Sequence, residues 1–184
     1  MSNNWSTILP TTKTLKNQAV LSSKAGATLK KQRRSLKSAS NDGIINKIVA
    51  TKQAAKALIF NPAGQVLVLR RSATHPYVPY TYDLPGGELE AGETAEEGLV
   101  REVKEETHIE LQKNKLVEID HNELDAFGRH YHVVLFVVEL THDPIVTLSS
   151  EHDTYVWQSL EKARIVGVAY EPMIERYIQL GKQS

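Results

Sequence analysis

Cysteine is absent from the 184 residues. That removes disulfides, thiolate zinc sites and cysteine nucleophiles together, and it fits a reducing cytoplasm. Long apolar runs are missing too: the longest, around residues 133–138, falls far short of the roughly 20 residues that cross a bilayer. It reads as a buried strand, so nothing points to a membrane. Carboxylates are almost missing from residues 1–50, where nine Lys and Arg face one acid, Asp42. The remaining residues reverse the bias, with twenty-one acids against thirteen bases, and the formal net charge is zero.

The two halves of that asymmetry call for separate explanations. Residues 1–50 are rich in Ser, Thr, Lys, Asn and Ala, carry the basic cluster Lys30-Lys31-Gln32-Arg33-Arg34, and lack the hydrophobic density of a core. Leu15, Ala19, Leu29 and Leu36 fall at helix-compatible spacings, but Ser22, Gly26 and Arg33 interrupt the stripe and weaken any helix. Three readings stay open: a solvated tail, a basic arm for nucleic acid, and an organellar presequence. Residues 51–184 have the texture of one compact α/β domain.

Within that domain the pattern predicts a hairpin from strands at residues 54–60 and 65–70 across an Asn-Pro-Ala-Gly turn. An irregular stretch follows at residues 72–82, where Pro76 and Pro79 forbid ladder pairing. A helix is expected over residues 94–107, then strands at 116–122, 130–140 and 155–158. Phe127 would tip the turn at residues 125–129, and an amphipathic helix would span residues 171–180. The expected architecture is a mixed sheet covered by helices.

Thr94 followed by Glu97 forms a capping box, which gives the first helix a defined start. Ala95, Leu99 and Val103 make its buried stripe, and Glu102, Glu105 and Glu106 fall along the border of that stripe. Carboxylates so placed repel one another, and a divalent cation reverses that effect: Mg²⁺ prefers hard oxygen ligands and takes one or two carboxylates together with substrate phosphates. Gly98 stands one turn before Glu102, where a close backbone approach and a sequence accident both explain it. Upstream, Leu84-Pro85-Gly86-Gly87 sets a stiff residue before two permissive ones, a bend whose carbonyls can face a metal.

Gly87, five residues, Glu93, seven residues, then Arg101-Glu102-Val103-Lys104-Glu105-Glu106-Thr107-His108-Ile109 resembles the box of the Nudix hydrolases. Chance agreement of this kind is on the order of one in a million if positions are independent. The resemblance implies a Nudix-like α/β/α sandwich with a mixed central sheet. It implies Mg²⁺ or Mn²⁺ held by Glu102, Glu105, Glu106 and the Gly86 carbonyl, and an ion pair of Glu93 with Arg101 that ties loop to helix. The implied reaction is metal-dependent hydrolysis of a diphosphate linkage in a nucleoside diphosphate joined to another moiety: a nucleoside triphosphate, a dinucleoside polyphosphate, ADP-ribose or a nucleotide sugar. Glu102 or a glutamate from a later loop serves as base in the family, and Glu151 or Asp153, just before the strand containing Trp157, stands where it could serve.

One position departs from the pattern. His108 stands where the family has glycine, at the point where a helix usually ends in a left-handed residue, and a non-glycine residue there costs about 1–2 kcal/mol.

Substrate contacts are expected from Arg70, His75 and Tyr80, with Tyr77 also placed to stack on a base and Tyr82 packing inside. Arg71 stands beside Arg70 as a further phosphate contact, against a solvated strand end. His130 and His132 share one side of their strand without an evident third ligand for zinc. The resemblance makes a small nucleotide the partner, with nucleic acid at the basic tail and a homodimer left open. An isopentenyl diphosphate isomerase of this family relies on a catalytic Cys that this chain lacks. The remaining alternative, a non-catalytic binding module recruited through the tail, usually shows lost box glutamates; all are present here.

Overall fold

The computed structural model describes residues 51–164 and 170–182. The basic tail and its helix stripe lie outside the described residues.

Residues 52–60 and 66–71 carry Ala, Leu, Ile, Phe and Val at nearly every position, and both segments are buried strands with side chains alternating between two cores. Strand β1 (Lys52–Phe60) and strand β2 (Val66–Arg71) form an antiparallel hairpin that pairs only at Phe60 and Val66. Beyond that pair the two strands separate. The gap is filled by the chain from the two-residue β3 (Tyr82–Asp83), paired with β2, through Pro85 and Gly87, whose carbonyls accept the Ala57 and Ala55 amides at 3.0 Å each. The glycine bend is therefore wedged into a split sheet.

Helix α1 (Ala95–Thr107) begins at Thr94, and both hydrogen bonds of the capping box are present. Strands β4 (Val117–Ala126) and β5 (Arg129–Glu139) form a second hairpin, with β5 running parallel to β1. Strand β6 (His152–Gln158) pairs antiparallel with the outer edge of β2, and the parallel β1–β5 pair makes the sheet mixed. A short α2 (Leu160–Ala163) precedes α3 (Glu171–Lys182).

Strand alternation divides the core in two. Ala55, Ala57 and Ile59 of β1 face α1 with Leu99 and Val103. Ala54, Leu58 and Phe60 face the opposite side, against Met173, Ile174 and Tyr177 of α3. Helices thus cover both faces, an α/β/α sandwich. No helix of the described residues is long and apolar enough to cross a membrane.

Three expectations needed adjustment. Hydrogen bonding carries β4 and β6 further than side-chain patterning indicated, so the hairpin turn shrinks to Phe127 and Gly128, both at positive φ (54° and 73°), as a primed two-residue turn requires. Phe127 remains half exposed and stacks on Tyr77 with ring centroids 4.8 Å apart. Tyr82 does not pack inside: β3 lies at the rim of the split, so alternation buries Asp83 and leaves Tyr82 39% exposed.

Candidate active site

The glutamates of α1 grade from buried to exposed. Glu106 is 7% exposed, its Oε2 accepting the Gly86 amide at 2.8 Å. Burial pushes its carboxyl up to about 8, against the opposing pull of Lys56 and the Gly86 N–H. Glu102 is partly buried; burial raises its pKa, the Arg101 guanidinium opposes that, and the Glu105 charge adds to it. Glu105 points into solvent. One helix face thus presents three carboxylates in three dielectric environments.

Arg101 holds this edge in place. Its Nε and Nη2 donate to Glu93 at 2.8 and 2.9 Å, its Nη1 to Glu102 Oε1 at 2.7 Å, and its Nη2 to the Glu88 carbonyl at 3.2 Å. The Arg101 hydrogen bonds pull the Glu93 carboxyl down to about 2. Gly98 faces this same loop: a Cβ there would lie 2.9 Å from Leu89 Cγ and 3.1 Å from Glu93 Oε2, so close approach explains the glycine. Gly86 is required more strictly. At φ +114° its Cβ would sit 2.2 Å from the Ala55 carbonyl oxygen, an overlap no side chain survives.

Behind the bend lies a charged cluster. Lys56 interrupts the apolar run of β1 and is 6% exposed; its ammonium donates to Asp83 Oδ2 at 2.9 Å, to the Leu84 carbonyl at 3.0 Å, and to the Gly86 carbonyl. Burial disfavours the charge on Lys56, yet Asp83 and the neighbouring acids outweigh it and its pKa rises. Arg71 binds Asp83 from the other side and also meets His75.

The loop before β6 docks on the end of α1. Thr147 N and Ser149 N donate to the carbonyls of Thr107 and Glu106 at 3.0 and 3.1 Å. His108 adopts the left-handed conformation (φ 60°), and its Nδ1 lies 2.9 Å from the Thr147 carbonyl. The same loop delivers His152, buried with Nε2 3.9 Å from Glu106 Oε1; burial, with Lys56 and Arg71 nearby, pulls its pKa down to about 4, so it is neutral. Glu151 lines a cleft of about 320 Å³ with Ser72, Thr74, His75, Pro76 and Ser150.

Glu102, Glu106 and Gly86 are thus gathered at one edge, with Glu151 and His75 together in a neighbouring cleft. Arg70 is occupied: its Nε donates to Asp153 at 2.8 Å, and its guanidinium lies 5.9 Å from the Tyr80 ring centroid. Lys56, Asp83 and His152 escaped sequence reasoning. A lysine inside an otherwise apolar strand was the available signal for the first, since a buried ammonium requires partners. His152 gave none.

Does this edge suit a divalent cation? Its donors are carboxylate and carbonyl oxygens, the hard ligands Mg²⁺ and Mn²⁺ prefer. Among the described residues no three acidic, His or Cys side chains already converge on one point, because Glu102 and Glu105 turn toward Arg101. The buried Glu106 carboxyl, by contrast, has one amide donor and no cationic side chain within 3.5 Å among the described residues. The donor set fits a divalent cation once Glu102 and Glu105 rotate inward.

Comparison with known proteins identifies the family. A family model described as NUDIX domain matches residues 50–177. The asymmetrical bis(5'-nucleosyl)-tetraphosphatase of Caenorhabditis elegans is 29% identical over 117 residues, 62% of this chain and 83% of that protein. The 8-oxo-dGTP diphosphatase of Escherichia coli (strain K12) is 36% identical over 66 residues, 36% of this chain and half of that protein. Among solved structures, the MutT protein from Methanosarcina mazei Go1 superposes with a TM-score of 0.60 at 29% identity, covering 72% of this chain and 96% of the other. The C. elegans Ap4A hydrolase binary complex gives 0.58 at 25% identity, with 69% and 95% covered. The chain belongs to the NUDIX domain family and is a hydrolase acting on phosphorus-containing acid anhydrides.

Proposed function

We propose that this protein is a Mg²⁺- or Mn²⁺-dependent pyrophosphohydrolase cleaving a diphosphate linkage in a nucleoside diphosphate joined to a further phosphate-bearing group. Dinucleoside polyphosphates and nucleoside triphosphates are the first candidates, with ADP-ribose and nucleotide sugars behind them. The observation that carries this reading is the buried Glu106 carboxyl beside Glu102 at a glycine bend. The names of the C. elegans and E. coli relatives support the substrate class.

Glu102, Glu105, Glu106 and the Gly86 carbonyl would hold the ion, which when bound neutralises diphosphate charge and acidifies a water. Glu102 serves in one of two ways: rotated off Arg101 it joins the ion, or, held by Arg101 through Oε1, it takes a proton from the attacking water through Oε2. A carboxylate whose proton affinity is raised by burial suits that task. Glu151 is the second candidate base. Asp153 is a poorer one, since Arg70 already binds it. His75 and Tyr80 would meet the nucleoside, and Arg70 would reach a phosphate by exchanging Asp153 for it.

The test is nucleotide chromatography of purified protein with Mg²⁺ against nucleoside triphosphates, dinucleoside polyphosphates, ADP-ribose and nucleotide sugars. Cleavage of the diphosphate linkage in at least one class is expected. No cleavage of any, with Mg²⁺ or Mn²⁺, would overturn the reading.

A further inference from the structure

We infer that Lys56 is a positioning residue for the metal-binding bend, holding the Gly86 carbonyl while Glu106 takes the Gly86 amide; the inference rests on the metal reading just given. Four successive carbonyls enter the split between β1 and β2, and β1 satisfies all four. Those of Pro85 and Gly87 accept the main-chain amides of Ala57 and Ala55. Those of Leu84 and Gly86 point the other way, and the Lys56 ammonium takes both. Its third proton goes to Asp83, so all three donors are used. That leaves no proton for acid catalysis, and burial keeps the group from substrate.

Residue Gly86 is gripped on both sides of its Cα: its carbonyl by Lys56, its amide by Glu106. The carbonyl and the amide of Gly86 lie in adjacent peptide planes that meet at its Cα: the Pro85 carbonyl, coplanar with the Gly86 amide, accepts the Ala57 amide, and Lys56 holds the next plane. Lys56 therefore sets the Gly86 carbonyl directly and reaches Glu106 only across the Gly86 Cα. An ammonium beside a cation site would also repel the cation, but Asp83 at 2.9 Å compensates that charge where it stands. Orientation is the larger effect, so removing Lys56 weakens metal binding.

The experiment uses the full chain, metal-free and without substrate. Mn²⁺ affinity is read by electron paramagnetic resonance, and exchange of the Gly86 and Gly87 amides by NMR, for wild type, Lys56→Met and the paired Lys56→Met/Asp83→Asn. The pair also removes the buried Asp83 charge, which the single change leaves with Arg71 as its cationic partner. Both variants should bind Mn²⁺ about 10- to 100-fold more weakly, the range for groups that orient ligands. Gly86 should exchange at least about tenfold faster, while β5 amides keep wild-type rates. Wild-type Mn²⁺ affinity and Gly86 protection in a cooperatively melting variant would overturn the inference, as would tighter Mn²⁺ binding. Loss of cooperative melting in both would assign Lys56 to folding alone and overturn it as well. If Glu106→Gln binds Mn²⁺ like wild type, the metal reading fails on its own, and the exchange measurement still decides for or against Lys56 as the anchor of the bend.

Discussion

Opposite charges gather at two places on this sheet. At the split between β1 and β2, Lys56, Asp83 and Glu106 are each less than a tenth exposed, and hydrogen bonds saturate the first two. On the β4–β5 hairpin, Glu123 bridges His130 and His132 at 3.1 and 2.9 Å, and Asp125 meets His130 at 2.8 Å, all of them at least partly exposed. The residue types are similar, but the consequences differ. In the low-dielectric split an unpaired charge is expensive, so each group depends on its neighbours. On the hairpin water and salt screen the same pairs, and each contributes little.

The comparison breaks most readily at Glu106. Glu106→Gln should lower Mg²⁺-dependent turnover by at least about 100-fold, the scale of losing one charge-stabilising group, while cooperative melting persists. Turnover within a few-fold of wild type would remove Glu106 from the machinery.

The same variant probes stability. Burial raises the Glu106 pKa from 4.5 to about 8, so the folded state binds a proton that the unfolded state has released. Metal-free protein therefore loses stability as pH climbs from about 4.5 toward 8. Metal-free Glu106→Gln should gain on wild type across that window, by on the order of 1–3 kcal/mol at pH 8, and match it below pH 4.5. Denaturant melts at the two pH values check this. Parallel curves would mean that Glu106 is ionised and paired.

On the hairpin, Glu123→Gln should move the melting temperature by no more than about two degrees, less at high salt. Hydrogen bonding to Asp125 raises the His130 pKa above 6.5. Its small contribution is complete below pH 6.5 and fades as pH rises through the folded value. A shift beyond about five degrees would show that the hairpin is not the screened region described.

The smallest effect is expected at His108. Glycine would relieve left-handed strain of about 1–2 kcal/mol, but it forfeits a hydrogen bond to Thr147 of about 1 kcal/mol. His108→Gly should therefore stabilise by less than about 1 kcal/mol. A larger gain would mean that the Thr147 contact is idle.

Local elements were legible because their causes are local. Thr94 and Glu97 announce the helix start, and the aliphatic runs of β1, β2 and β5 declare buried strands. The helix stripe of Leu99 and Val103 put Glu102 and Glu106 beside the core before any coordinates did. The extents of β4 and β6 were less legible, because hydrogen-bond pairing with a partner strand, which side-chain pattern does not record, decides where a strand ends.

By itself the sequence determined the family, the glutamate helix and the glycine bend, since a signature of fixed spacing on one helix is a short-range property. Only the tertiary structure decided how far each glutamate is buried, that Arg70 is tied to Asp153, and that Lys56 grips the Gly86 carbonyl from a strand 30 residues away. Each of these depends on dielectric and on contacts between segments distant in the chain. Those quantities exist only once the sheet has split and the bend has entered it.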